Sequence, residues 1–305
     1  MNAPRKPPRR RLDGVLLLDK ALGLSSNHAL QAARRLYSAE KAGHTGTLDP
    51  LATGLLPLCF GEATKFSGEL LNADKRYLAT VQLGVTTATA DAEGAVLERR
   101  PVSVTRPQIE QALAAFVGQI EQVPPMYSAL KRNGKPLYEY ARAGIEVARA
   151  ARRVTIHQLH LGDGDDGLAD GRFDFEVYCS KGTYVRTLAA DIGERLGCGA
   201  HLAALRRTGI GTLDIAQAHT LAMLEALPVE SRDGLLLPPD ALLADLAEAR
   251  LDAADSARLR HGQAVRWSAE EGVRLRVYDN EQHFIGVCRQ VADGWLQPQR
   301  LVAGC

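Results

Sequence analysis

Asp49 is the residue of this 305-residue chain best placed to do chemistry. It stands in GHTGTLDPLATGLLPL, residues 43–58, directly before Pro50. An aspartate before proline is commonly a turn residue bonded to its own backbone. Here the preceding residues are small and leave the carboxylate unshielded, while the apolar run after it reads as a buried strand that anchors it. Pro50 pushes Asp49 out of the α region, and Gly43 and Gly46 give the loop unusual backbone freedom. With an ordinary pKa of about 3.9, the carboxylate is ionised at neutral pH and can serve as nucleophile or base.

Other chemistries fit less well. The Asp-Thr/Ser-Gly of aspartic proteases is absent, as is the Asp-Lys-Thr-Gly-Thr of phosphorylated ion pumps. His157 and His160 lie three apart on an expected strand, hence on opposite faces, and are poor joint metal ligands. DGDDGLADGRFD resembles a calcium loop, but Leu168 occupies the sixth position and Asp174 the twelfth, where glycine and glutamate are required. It reads as an acidic hairpin turn, and no metal is expected. Five scattered cysteines without a CxxC pair argue against both a disulfide framework and a zinc site, and fit a reducing cytoplasm.

The elements that must position Asp49 are readable in outline. GVLLLDKALGLSS is a strand, a turn and a helix start, with Ser25 or Ser26 as N-cap and Leu30, Ala33 and Leu36 along the helix. GLLPLCF and RYLATVQLG read as strands, with ATKFSGELLN between them as a helix. TRPQIEQALAAFVGQI places Ile109, Leu113, Phe116 and Ile120 on one helical face, with Pro107 in the first turn. FDFEVYCSKGTYVRTLAADIGERLG predicts a strand, a turn at Gly182, and a helix through Leu188, Ile192 and Leu196. Tyr184 and Arg186 are then two apart on an extended stretch and face one side. After Pro238-Pro239 a helix is expected to about residue 250, followed by short strands packed as a small barrel. The irregular alternation of helices and strands predicts an α+β fold with a mixed sheet.

The totals set bounds. The length suits about two domains. Net charge is +1, but residues 221–305 carry 9 Lys/Arg against 13 Asp/Glu, so the first 220 hold 28 against 23 and should meet any polyanion. KRNGKPLYEYARAGIEVARAARR, residues 131–153, holds seven Lys/Arg against two Glu, interleaved with Tyr138 and Tyr140. The start, MNAPRKPPRRRLDGVLLLDK, reads as a disordered basic tail, because Asp19 cuts its apolar run short. No stretch approaches the roughly 20 apolar residues of a membrane span.

The strings GHTGTLDPLATGLLPLCFGEATK, DKRYLATVQLG, VPPMYSALKRNGKPLYEYAR and CSKGTYVRTLAADIG, in that order, resemble the TruB family of tRNA pseudouridine synthases. The likeness runs from about Asp13 to about Thr212, and the carboxyl end is similar to the PUA-like barrel of bacterial members. The resemblance implies a pseudouridine-synthase fold, a mixed and largely antiparallel sheet flanked by helices, with a small C-terminal PUA-like β-barrel. It gives a basic tail over 1–12, a catalytic domain over 13–248 with a thumb-like RNA-binding insertion at about 125–153, and a PUA-like domain over 249–305. It also implies a stand-alone enzyme that isomerises the T-loop uridine at tRNA position 55, acting as a cytoplasmic monomer on the tRNA T arm with no cofactor, guide RNA or membrane.

The resemblance assigns roles residue by residue. Asp49 is the reacting carboxylate, and it can attack the sugar at C1′, attack the base at C6 or take the C2′ proton. Tyr77 stacks on the flipped uracil; Arg186 pairs with Asp49; Tyr184 lies under the base and can relay the C5 proton. Leu205 is an apolar pocket residue, Lys20 and His44 lie near the pocket, and Lys131, Arg132 and Arg142 grip RNA from the thumb. Turning a base out of a folded RNA costs a few kcal/mol, and stacking on one aromatic returns about 1–3, so phosphate contacts must supply the affinity. A tRNA-folding chaperone would use the same thumb and Tyr77 without needing Asp49, and a glycosidase would release free uracil.

Overall fold

The structure is a computed structural model that describes residues 9–162 and 170–303. The DGDDGLADGRFD hairpin expected from sequence lies largely outside these residues. In chain order the elements are β1 (Gly14–Lys20), α1 (Ser26–Leu36), β2 (Ala42–His44), β3 (Ala52–Phe60), α2 (Ser67–Asn72), β4 (Lys75–Leu83), β5 (Val85–Thr87), β6 (Val96–Arg99) and α3 (Arg106–Ala114). They continue with β7 (Gly118–Gln122), β8 (Lys131–Arg132), β9 (Lys135–Pro136), α4 (Leu137–Arg142), β10 (Arg152–Leu161), β11 (Arg172–Cys179), α5 (Val185–Arg195), β12 (Ala200–Ile210) and β13 (Leu213–Asp214). The last third holds α6 (Leu221–Ala226), α7 (Val229–Asp233), β14 (Ala247–Arg250), α8 (Ala253–Arg260), β15 (Val265–Arg266), β16 (Arg274–Tyr278), β17 (Phe284–Val291) and β18 (Trp295–Leu301).

A nine-stranded mixed sheet dominates, in the order β1-β3-β12-β4-β11-β10-β7, with β13 on β12 and β2 on β3. Its pairings are antiparallel except β12 with β3. A second, five-stranded sheet, β14-β16-β17-β18-β15, forms the small β unit expected at the carboxyl end. The architecture is thus α+β, with a mixed, largely antiparallel sheet flanked by helices and a smaller β unit after it.

Two cores lie on the helical face of the large sheet. One packs Ile109 and Leu113 of α3 and Leu188 and Ile192 of α5 against Ala79, Val81, Phe175 and Val177. The other packs Ala29, Leu30 and Ala33 of α1 against Leu16, Leu18, Leu56 and Leu58. Tyr77 and Leu205 touch both, so they sit at the seam.

Several expectations need correcting. The α3 pattern stops at Ala114; Gly118, at φ +98°, turns the chain, and Ile120 belongs to β7. Residues 63–72 are not one helix but part of a 3₁₀ turn, Gly61–Lys65, and α2, broken at Phe66. Pro239–Leu243 is likewise only a 3₁₀ turn and leads into β14. A bulge between Ile156 and Gln158 resets the alternation of β10, leaving His157 and His160 both exposed. Residues 1–8 lie outside the described part, but Arg10 of the expected tail is held by both oxygens of Asp233 and by pairing with Ser38 and Glu40.

Candidate active site

The Asp49 loop is pinned rather than free. Ser25 caps α1 through the amide of His28, which leaves the hydroxyl of Ser26 for another task. Ser26 donates to the Leu48 carbonyl at 3.0 Å, and the Leu48 amide donates back to the same oxygen at 2.8 Å. The Asp49 carbonyl accepts from Ala52 and the Pro50 carbonyl from Gly23. Gly46 takes φ +83°, so the glycine serves a tight turn more than flexibility.

Arg186 does not lie on an extended stretch, as the sequence suggested. It occupies the first turn of α5, with Tyr184 as the residue before the helix. There its Nη2 lies 3.1 Å from Asp49 and its Nη1 3.3 Å from Asp91. It also donates to the carbonyls of Tyr127, at 2.7 Å, and Thr89, at 3.2 Å. The side chains of Arg186 and Asp91 are 6% and 4% exposed, whereas Asp49 keeps 43%, so one carboxylate anchors the cation and the other faces outward. Asp91, which the sequence reading missed, accepts from the Thr89 hydroxyl and the Glu93 amide.

Burial pushes the Asp49 carboxyl above the ordinary aspartate range; Arg186 and Lys20 oppose this shift and Asp91 reinforces it. Burial also raises the phenols of Tyr77 and Tyr184, which stay protonated at neutral pH. It lowers the His44 imidazole, helped by the charge of Arg207, so that ring is neutral. Lys20 is buried and pulled down to about 8, chiefly by desolvation. Its ammonium donates to the carbonyls of Ala21 and Leu24, which places it behind the site rather than on its surface.

A cavity of about 170 Å³ is lined by Asp49, Tyr77, Ser128, Tyr184, Arg186 and Leu205. A wider cleft of about 550 Å³ shares Asp49 and Arg186 and adds His44, Lys131, Tyr138 and Arg142. The fold therefore brings Asp49, Tyr77, Tyr184, Arg186 and Leu205 around one small space and joins it to part of the basic segment. Arg132 is not in the cleft, because its guanidinium is turned to the carbonyl of Ala148 at 2.7 Å. Arg142 lies over the ring of Tyr138, 5.3 Å from its centre. The His44 Nδ1 is buried with no partner among the described residues.

Two further residues escaped the sequence reading. Ser26 was weighed only as a cap, and Arg207 carried no motif signal. A carboxyl group beside an aromatic ring, a buried cation and a protonated phenol suits nucleophilic attack or proton transfer on a substrate group small enough for the cavity.

The family description "TruB family pseudouridylate synthase (N terminal domain)" matches residues 34–185, "tRNA pseudouridylate synthase B C-terminal domain" matches 186–244, and "Pseudouridine synthase II TruB, C-terminal" matches 247–302. The chain is 60% identical over 301 residues to the tRNA pseudouridine synthase B of Burkholderia mallei, covering 96% of this chain and 98% of that protein. It is 56% identical over 307 residues to the protein of that name from Cupriavidus metallidurans, covering 98% and 97%. Among solved structures, a chain of an H/ACA RNP bound to a substrate RNA containing 2′-deoxyuridine shares the fold, with a TM-score of 0.72 at 20% identity over 95% of this chain and 85% of that one.

Proposed function

The chain belongs to the TruB family of pseudouridylate synthases, and from that premise we propose that it converts the T-loop uridine at tRNA position 55 to pseudouridine, with Asp49 as the reacting carboxylate. As a pseudouridylate synthase it is an isomerase. The bond from base N1 to sugar C1′ breaks, a bond from C5 to C1′ forms, and the C5 proton leaves as N1 gains one, with no net change in composition.

The observation that carries the roles is the unequal exposure around Arg186. Asp91 is sealed in with the guanidinium while Asp49 remains open to the cavity. Arg186 orients Asp49 toward the base or ribose of an everted uridine. Tyr77 and Leu205 bound the cavity in which the uracil stacks, at a gain of about 1–3 kcal/mol that roughly offsets the cost of eversion. The protonated Tyr184 phenol stands at the same cavity and relays the C5 proton. His44 is neutral and positions RNA at the cleft rather than acting as acid or base. Lys131 and Arg142, which line the wider cleft, hold the phosphates of the T arm there; on this reading the protein acts as a monomer without a guide RNA.

The test is to map pseudouridine in tRNA after incubation with the purified chain. One new pseudouridine in the T loop is expected. Bound tRNA with no new pseudouridine would favour a folding chaperone, and free uracil would favour a glycosidase.

A further inference from the structure

Arg207 is among the largest fully buried side chains of the described residues, at 1% exposure, and none of its contacts there is with a carboxylate. Isolated buried cations are costly, so a guanidinium kept without a countercharge calls for a reason in what it holds. Its neighbours supply one. On β12, Arg207 is the direct partner of Tyr77 on β4 and of Gly54 on β3, the strand that leaves the Asp49 loop. Its Nε donates to the Leu55 carbonyl at 2.8 Å, and its Nη2 reaches the Gly46 carbonyl at 3.5 Å. The same guanidinium interacts electrostatically with the Tyr77 phenol across the β12–β4 pair.

Gly54 of the Asp49 motif makes room for this arrangement. A Cβ on Gly54, which takes φ +99°, would stand 2.3 Å from the Arg207 carbonyl. At Gly46 a Cβ would make only an ordinary 3.8 Å contact with the guanidinium, so that glycine answers to its φ of +83° instead. One planar fork thus joins the start of the Asp49 loop to the strand that follows it, on the residue that stands opposite Tyr77 across the β12–β4 pair.

We propose that Arg207 is a positioning residue that sets the Tyr77 ring and the Asp49 loop at a fixed separation, so that a uracil stacked on the one meets the carboxylate of the other. This rests on the functional reading above. Lysine keeps the charge but not the fork, and cannot hold both carbonyls while facing the Tyr77 phenol.

The experiment measures single-turnover pseudouridine formation and tRNA affinity for the full chain and for Arg207→Lys, Tyr77→Phe and the double variant. Arg207→Lys should slow the reaction by roughly ten- to a hundredfold with tRNA affinity unchanged, the scale expected of a small misplacement. Tyr77→Phe keeps the ring and removes the hydroxyl that interacts with Arg207, so it should also slow turnover, and the double variant should be no slower than the slower single. An unchanged rate in either single, or losses that multiply in the double, would overturn the proposal. So would a rate loss matched by a loss of tRNA affinity. If Arg207→Lys does not fold, Tyr77→Phe alone decides. Wild-type turnover distinguishes the two levels: its absence removes the functional reading and this inference with it, whereas normal turnover in both wild type and variants removes only the inference.

Discussion

Asp49 shares its cation with Asp91: Arg186 lies 3.1 Å from Asp49 through Nη2 and 3.3 Å from Asp91 through Nη1. One positive charge between two carboxylates orients Asp49 without saturating it. The carboxyl stays above its ordinary range because burial and the charge of Asp91 outweigh Arg186.

Asp91→Asn should therefore move the acid limb of the pH–rate profile to lower pH, since a charge that raises Asp49 is gone. The rate at neutral pH should fall as Arg186 loses the buried carboxylate that anchors it. Stability should drop by about 1–3 kcal/mol, the cost of disturbing buried polar groups. An acid limb in the same place would contradict the shared-cation account.

The raised Asp49 also predicts a stability effect. A carboxyl whose folded pKa exceeds its unfolded value of about 3.9 costs stability once ionised, and the cost appears as pH rises through the folded value. Asp49→Asn should thus melt at a higher temperature than wild type at neutral pH, with the two curves converging as pH approaches about 4. A variant less stable than wild type at pH 7 would show that the Arg186 contact dominates.

Ser26 closes both backbone groups of Leu48, the residue before Asp49. Ser26→Ala should cost about 1–3 kcal/mol in urea denaturation, because buried peptide groups lose their partner. It should lower kcat more than it weakens tRNA binding, since the loop it frees carries Asp49. Equal losses in both would mean that Ser26 serves only folding.

Lys131 and Arg142 line the cleft, whereas Arg132 is turned to a backbone carbonyl. Replacing Lys131 or Arg142 with alanine should weaken tRNA binding and flatten its log–log salt dependence by about 0.7 per lost single-strand phosphate contact. Arg132→Ala should change the slope less. An identical slope in all three variants would remove the cleft from RNA binding.

The helix faces built from Ile109 and Leu113, and from Leu188 and Ile192, were legible because local periodicity reports burial. The strand after Asp49 was legible as a continuous apolar run. Phe116 and Ile120 misled because they continue a helical phase through Gly118, whose φ of +98° ends it. Arg186 was placed on the wrong element, since a turn at Gly182 leaves the first residue of the following helix uncertain. Asp91 gave no pattern at all, Ser26 gave only that of a cap, and Arg207 gave none. Their partners lie 95, 22 and 152 or more positions away in the chain, at Arg186, Leu48 and Leu55, and only the folded sheet brings them together.

The most direct measurement is release of a hydrogen label from C5 of uridine in tRNA, with wild-type protein and with Asp49→Asn. Wild type should release label and form pseudouridine, while the variant should bind tRNA with similar affinity and release none. Release by the variant at a rate comparable to wild type would contradict the assignment of Asp49 as the reacting group.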